Sequence, residues 1–321
     1  MNIVIVGQGA MGLLWYHHIQ QLTLNSDKHS AIQLHLLPSK AFAASKLTQQ
    51  HPQYTFTDHN NYKQQHKINY AHAQHIQEAD LIILCLKSFN IANALKEMAT
   101  QLHSKAMIVL AHNGLGTLAE LPQSITKRHN IYALLTTHGC LRTAHLTVTH
   151  TGLGTSDIGL VSGVSNLKQQ QSCTQLLNTA LASVTYHQNI QKKQWLKLAV
   201  NCVINPLTAI NNIDNGLVNN TEYQVTIVSL LKEIIAVASA EKVELTLAEL
   251  EASIKNVAKA TAKNSSSMRC DVLAKRRSEI DYINGYIHRL GIKHEIATPE
   301  NTQMWQQVQK LGSRVYKPSH F

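Results

Sequence analysis

The chain has no uninterrupted apolar run approaching the roughly 20 residues that a membrane-spanning helix requires, which argues against a membrane partner. Aromatic residues make up only 5% of it, and its basic residues are dispersed and form no nucleic-acid-binding motif. The formal charge of +10 is therefore read as a field that attracts an anionic small molecule, not nucleic acid. Lys275-Arg276-Arg277 is the one dense basic cluster, and it is expected on the wet face of a helix. The five cysteines (85, 140, 173, 202 and 270) are odd in number and lack C-x-x-C spacing, as expected of reduced thiols in a cytoplasmic protein. The 19 histidines fall into no H-E-x-x-H or paired Cys/His pattern, so no metal is expected. A strand occupies the place of a secretory signal, and none is expected.

That strand carries the first positive signal. Residues 3–6 are apolar and β-branched, and Gly7-Gln8-Gly9-Ala10-Met11-Gly12 follows at once, leading into helix-forming residues. This is the G-x-G-x-x-G fingerprint in its expected strand–turn–helix context. Gly7 permits the tight turn, Gly9 a close backbone approach to a pyrophosphate, and Gly12 close packing of helix on strand. An ordinary βα turn can carry three glycines, but the placement favours a dinucleotide.

The first half alternates strand and helix signals. Strands are expected at 3–6, 31–37, 81–86, 107–111 and 131–136, and helices at 13–24 and 90–102. Residues 146–151 and 156–161 read as an antiparallel pair, and 43–70 as an irregular polar excursion with short elements. The continuous apolar strands predict an α/β fold with a doubly wound, mostly parallel sheet. Beyond about residue 188 only helical periodicity remains, at 191–209, 223–240, 247–263, 270–290 and 302–311. The expected domains are thus 1–188, Rossmann-like, and 189–321, all-helical, with substrate bound at their junction.

In the largely uncharged helix from Trp195 to Ile210, Lys197, Asn201 and Asn205 recur every four residues. At ~100° per residue they lie at about 0°, 40° and 80°, one stripe on an otherwise apolar surface. An ammonium and two amides there need polar partners. Alternatively, Lys197 snorkels to solvent while the asparagines cap nearby loops. Pro206 removes a helical N–H and frees the carbonyl of Cys202, so a kink is expected nearby. Glu279 shares a helical stripe with Ile283, Ile287 and Leu290, which places a carboxylate on a core-facing side. Such an acid has either a cationic partner or a function. A salt bridge to Arg276 or Arg277 is the plainer option.

These residues together resemble the ketopantoate reductase (2-dehydropantoate 2-reductase) family over nearly the whole chain. The most specific part is Trp195-x-Lys-Leu-Ala-Val-Asn-Cys-Val-Ile-Asn-Pro-Leu-Thr-Ala209. Asn215-Gly216, Asn264-x-Ser-Ser-Met268, Glu279-Ile-Asp-Tyr-Ile-Asn-Gly285 and Pro299-Glu-Asn-Thr302 follow in order. Lys87, His112-Asn-Gly-Leu-Gly116 and Thr137-His138 also match. The resemblance implies NADPH-dependent reduction of 2-dehydropantoate to (R)-pantoate in pantothenate and coenzyme A synthesis. It puts Lys197 at the general-acid position and Glu279 at the catalytic acid. Asn113, Asn201, Asn205, Asn215 and Ser267 take the substrate-holding positions. The loop Gly7–Gly12, with Lys87, Asn113 and Glu279, would meet NADPH. The family's arginine for the 2′-phosphate is replaced by Leu37, leaving Ser39 and Lys40 to bind it unless Lys40 only begins a solvated helix. Another 2-oxo or hydroxy acid reductase on this scaffold, or a non-catalytic NADP(H) sensor, is the alternative. A small 2-oxo acid is the expected partner, and the protein is expected as a monomer or homodimer.

Overall fold

A computed structural model describes residues 1–25, 32–38 and 53–313. Ser39 and Lys40 lie outside the described residues. The chain folds into two compact units. The first comprises Met1–His112 and Glu120–Ile190, and the second Asn113–Ala119 and Gln191–Phe321.

In the first unit the strands are β1 (Asn2–Val6), β2 (Gln33–Leu37), β3 (Gln53–Thr57), β4 (Lys63–Lys67), β5 (Leu81–Leu84) and β6 (Met107–Leu110). They continue as β7 (Ile131–Thr136), β8 (Gly139–Ala144), β9 (Thr147–Gly152), β10 (Ser156–Ser162) and β11 (Val184–Tyr186). The helices are α1 (Ala10–Asn25), α2 (Ala73–Gln77), α3 (Ser88–Met98), α4 (Thr117–Glu120), α5 (Gln123–Thr126) and α6 (Leu167–Ala180), α4 falling at the border of the second unit.

Seven strands form one sheet in the order β11-β10-β7-β6-β5-β1-β2. Its centre is parallel and buried on both faces, which is why β5 (Leu-Ile-Ile-Leu) and β6 (Met-Ile-Val-Leu) are uninterrupted apolar runs. The mostly parallel sheet matches expectation.

A second sheet, ordered β4-β3-β9-β8, departs from it. The expected antiparallel pair of 146–151 with 156–161 does not form. Strand β9 instead pairs with β8 and β3 in the small sheet, while β10 runs antiparallel to β7 in the large one. Gly154 packs against the backbone of Thr137 and His138, which lets the chain change sheets there. Part of the supposed irregular excursion is the β3–β4 hairpin. Strand β3 buries Tyr54 and Phe56 between exposed or half-buried polar residues, whereas β4 is a charged edge, Lys-Gln-Gln-His-Lys, of the kind that discourages edge-to-edge pairing.

The second unit is helical: α7 (Gln191–Asn211), α8 (Gln224–Ala240), α9 (Leu247–Ala260), α10 (Ser267–Leu273), α11 (Asn284–Lys293) and α12 (Pro299–Ser313). The single helix expected over 270–290 is divided into α10, a 3-10 turn at Ile280–Tyr282, and α11. Lys275, in the left-handed region at φ 55°, ends α10. The basic cluster is therefore a turn and not a helix face. Arg276 pairs with Asp271 and Arg277 with Asp281. Helix α7 runs unbroken through Pro206. Residues Thr221–Ala240 have the length and apolarity of a membrane span, but α8 buries Ile227, Leu230, Leu231 and Ile234 in this unit's core.

Candidate active site

In the first unit, β1 delivers the chain into the glycine loop. Gly7 has φ 109°, a conformation that L side chains rarely adopt, and a Cβ there would lie 2.6 Å from the Cys85 carbonyl. A Cβ on Gly12 would overlap the Gly7 carbonyl oxygen, so helix and strand approach as closely as the fingerprint requires. Among the described residues nothing lies within 4 Å of where a Cβ on Gly9 would be. Ala10 starts α1, whose first N–H groups have no partner within the helix. The buried Gln8 Oε1 has no hydrogen-bond partner among the described residues. A turn open only at Gly9 and leading to a helix N-terminus fits the pyrophosphate of a dinucleotide. Met11 is half-buried in this core, and the Cys140 thiol donates to the Ala10 carbonyl at 3.3 Å. Burial pushes the thiols of Cys85 and Cys140 up to about 12, so both stay protonated. Lys87 directly precedes α3, at the carboxyl end of β5.

The second unit holds the other candidates. Lys197, Asn201 and Asn205 lie on one stripe of α7, Lys197 and Asn201 half-buried and Asn205 buried. Thr208, fully buried and one turn on, extends the stripe; its hydroxyl donates to the Ile204 carbonyl at 2.7 Å and lies 2.6 Å from Ser266 Oγ, which can donate to it. Ser266, not Ser267, is the N-cap of α10, accepting from the Arg269 N–H at 3.1 Å. Ser267 follows as an exposed residue.

Asn215 is buried beside this cap. Its N–H donates to the Asn264 carbonyl and its Nδ2 to Thr261 Oγ1, both at 3.0 Å, while its Oδ1 is buried without a partner among the described residues. Arg269 ties down the same loop by an ion pair with Asp214 and a 2.9 Å bond to Asn212 Oδ1. Asn215 and Ser267 are thus held by one connected segment.

Glu279 is only 5% exposed, but not for the expected reason. It precedes the 3-10 turn and shares no α-helical stripe with Ile283 and Ile287. The half-buried Asn113 belongs to this second unit because its segment is stitched to that turn: the Leu115 N–H donates to the Tyr282 carbonyl at 2.8 Å. Gly114, at φ 82°, leaves no room for a Cβ beside that carbonyl. Asn113 and Glu279 are therefore anchored to the same turn.

Asn284, Asn301, Ser266 and Thr208 stand in the segments that carry the family resemblance, but sequence reasoning assigned no role to any of them. Thr208 was within reach, since it stands at about 20° on the same helical stripe.

The family described as "Ketopantoate reductase PanE/ApbA" matches residues 3–163, and its C-terminal counterpart residues 189–312. The 2-dehydropantoate 2-reductase of Vibrio cholerae is 34% identical over 311 residues, covering 97% of this chain and 98% of that one. That of Shigella flexneri is 33% identical, covering 98% and 96%. Among solved structures, a ketopantoate reductase from Ralstonia eutropha superposes with a TM-score of 0.83 at 23% identity, covering 99% of this chain and all of that one. A D-mandelate dehydrogenase bound to NADH and anilino(oxo)acetate gives 0.86 at 21%, with the same coverage. These last two likenesses concern the fold alone. Matched in both halves and related over nearly its full length to 2-dehydropantoate 2-reductases, the chain belongs to the ketopantoate reductase family.

Proposed function

We propose that the protein is an oxidoreductase that reduces 2-dehydropantoate to (R)-pantoate with NADPH. The observation that carries this is the stripe of one ammonium and two amides on α7, in the same helical unit as the buried Glu279 and Asn215.

The loop Gly7–Gly12 and the start of α1 would hold the dinucleotide's pyrophosphate, with Lys87, Asn113 and Glu279 as further contacts. When bound, the reduced nicotinamide supplies a hydride to the carbonyl carbon. The chain's part is to manage the charge that develops on the oxygen. Lys197 donates a proton there, and its ammonium stabilises alkoxide character beforehand. A carboxylate nearby favours the charged form of a lysine, the role assigned to Glu279. The amides of Asn113, Asn201, Asn205 and Asn215 and the hydroxyl of Ser267 hold the 2-oxo acid. The unpartnered Asn215 Oδ1 suits a substrate hydroxyl, which can donate to it.

The absence of a carboxylate at the end of β2, where Leu36 and Leu37 stand, supports NADPH over NADH, although Leu37 takes the place of the family's phosphate-binding arginine. Ser39 and Lys40 would bind that phosphate. We place the enzyme in the cytoplasm, as a monomer or homodimer. The test is loss of reduced-nicotinamide absorbance with purified protein across a panel of 2-oxo acids that includes aryl ones. Preference for 2-dehydropantoate is expected, and a higher kcat/KM with an aryl 2-oxo acid rejects the substrate assignment.

A further inference from the structure

Pro206 lies inside α7 and cannot donate to the carbonyl four residues back, that of Cys202. Cys202 is fully buried, so water cannot satisfy the released oxygen, and a buried carbonyl without a donor is costly. Asn284 supplies the donor. Its Nδ2 lies 2.9 Å from the Cys202 carbonyl oxygen and 3.0 Å from Asn301 Oδ1.

The amide orientations follow from the acceptors around them. Glu233 Oε2 is 2.8 Å from Asn301 Nδ2, and the Leu230 carbonyl is 3.3 Å from it. Both can only accept, so Asn301 turns its NH2 to them and its Oδ1 to Asn284. Glu233 also receives the N–H groups of Glu300 and Asn301 at 2.8 and 2.9 Å. Asn284 and Asn301 are both 0% exposed, and Asn284 Oδ1 is left without a partner among the described residues. Two N–H donors are therefore what position 284 requires, and the idle oxygen is tolerated.

The released carbonyl falls between Asn201 and Asn205. Lys197 and Asn201 occupy the turns before Pro206, and Asn205 the turn that contains it. Asn284 opens α11, five residues after Glu279. One side chain thus joins the substrate-facing helix to the segment that carries the buried acid. We infer that Asn284 is a positioning residue for the reduction, fixing the Lys197–Asn201–Asn205 stripe relative to the Glu279 segment through the carbonyl that Pro206 frees. It touches neither substrate nor cofactor, and the inference rests on the roles proposed above for the stripe.

A double-mutant cycle tests it in the full-length enzyme. Asn284→Asp keeps the shape but removes the donor, and Asn284→Ala removes both. Each is expected to lower kcat and raise KM for the 2-oxo acid, for a combined loss of about tenfold to a hundredfold in kcat/KM. NADPH Kd should stay within about twofold. Pro206→Ala restores a backbone N–H to the Cys202 carbonyl, so Asn284→Ala made in that background should cost little further kcat/KM. Such rescue is not expected if Asn284 serves stability alone, since the Asn301 branch is lost in either background. A wild-type kcat and KM in Asn284→Ala overturns the inference. So does an unchanged penalty beside Pro206→Ala, or failure of that double variant to fold. A wrong substrate assignment shows separately, in the 2-oxo acid panel with wild type, and the cycle then runs on the preferred acid.

Discussion

Lys197 brings a charge to an apolar helix at a half-buried position, where truncation leaves the neighbouring core residues Trp195, Leu198 and Ala199 in place. Lys197→Ala is accordingly expected to fold with near-normal Tm and to lose about 10²–10⁴ in kcat, the usual worth of a positioned proton donor. A kcat close to wild type rejects Lys197 as that donor. The amides differ, since they hold the ground state as well. Asn205→Ala and Asn215→Ala should raise KM for the 2-oxo acid about tenfold or more, given ~1.5–3 kcal/mol for a hydrogen bond to a charged group. Titration calorimetry should find NADPH affinity nearly unchanged in both. Two adjacent serines separate structure from function still more directly. Ser266→Ala removes the α10 cap and should cost about 1 kcal/mol of stability. Ser267→Ala, at an exposed position, should leave Tm alone and act on KM.

The glycine loop makes a contrast at the scale of one element. Gly7→Ala meets both a positive φ and the Cys85 carbonyl, and Gly12→Ala meets the Gly7 carbonyl, so both should lower Tm along with NADPH affinity. Gly9→Ala enters open space and should keep its Tm while weakening NADPH binding. Equal Tm losses in all three would argue against a turn kept open for a ligand. This loop was legible because periodicity and glycine spacing are local properties. The parallel strands and α7 were legible for the same reason: apolar runs and a four-residue repeat survive in the bare sequence. What escaped depends on partners far away in the chain. Strands β9 and β10 were recognised as strands, yet their partners, β3 and β8 for one and β7 and β11 for the other, lie beyond any local pattern. The break in the 270–290 helix was hidden because Glu279, Ile283 and Ile287 keep helical spacing across it. The acid's burial was inferred correctly from a helix that is not there. Asn284 is intermediate, since Pro206 announces an orphan carbonyl but not the side chain that answers it.

On the scale of the whole molecule the histidines are unevenly shared: all but His288, His294 and His320 belong to the first unit's residues. Several crowd between α1 and the small sheet. His17 stacks on Phe56 at 3.7 Å and bonds the Tyr54 hydroxyl at 3.0 Å, with His66 at its edge. His18 meets His150, which lies 3.2 Å from His138 and beside His59. Burial first, then neighbouring histidines, lowers His17 from 6.5 to about 3 and His18 to about 4. His66, His138 and His150 are also lowered, burial again being the main cause. Asp58 opposes the shift at His150 only weakly. A histidine whose pKa is depressed by folding takes its proton more readily when unfolded. Its contribution is intact above 6.5 and lost as pH falls towards the folded value, at up to about 1.4 kcal/mol per pH unit for each group. In the second unit Glu241, held low by hydrogen bonds from His294 and Lys293, loses its contribution only below about 4.5. Between pH 6.5 and 5, therefore, acid should weaken the first unit selectively. Hydrogen exchange at pH 7 and pH 5, corrected for intrinsic rates, should show protection falling in α1, β3 and β9 while α7 and α8 hold. His17→Phe, which keeps an aromatic ring against Phe56 without a titrating group, should flatten the dependence of Tm on pH. Uniform loss across both units, or an unchanged slope in that variant, would show that the cluster does not set acid stability.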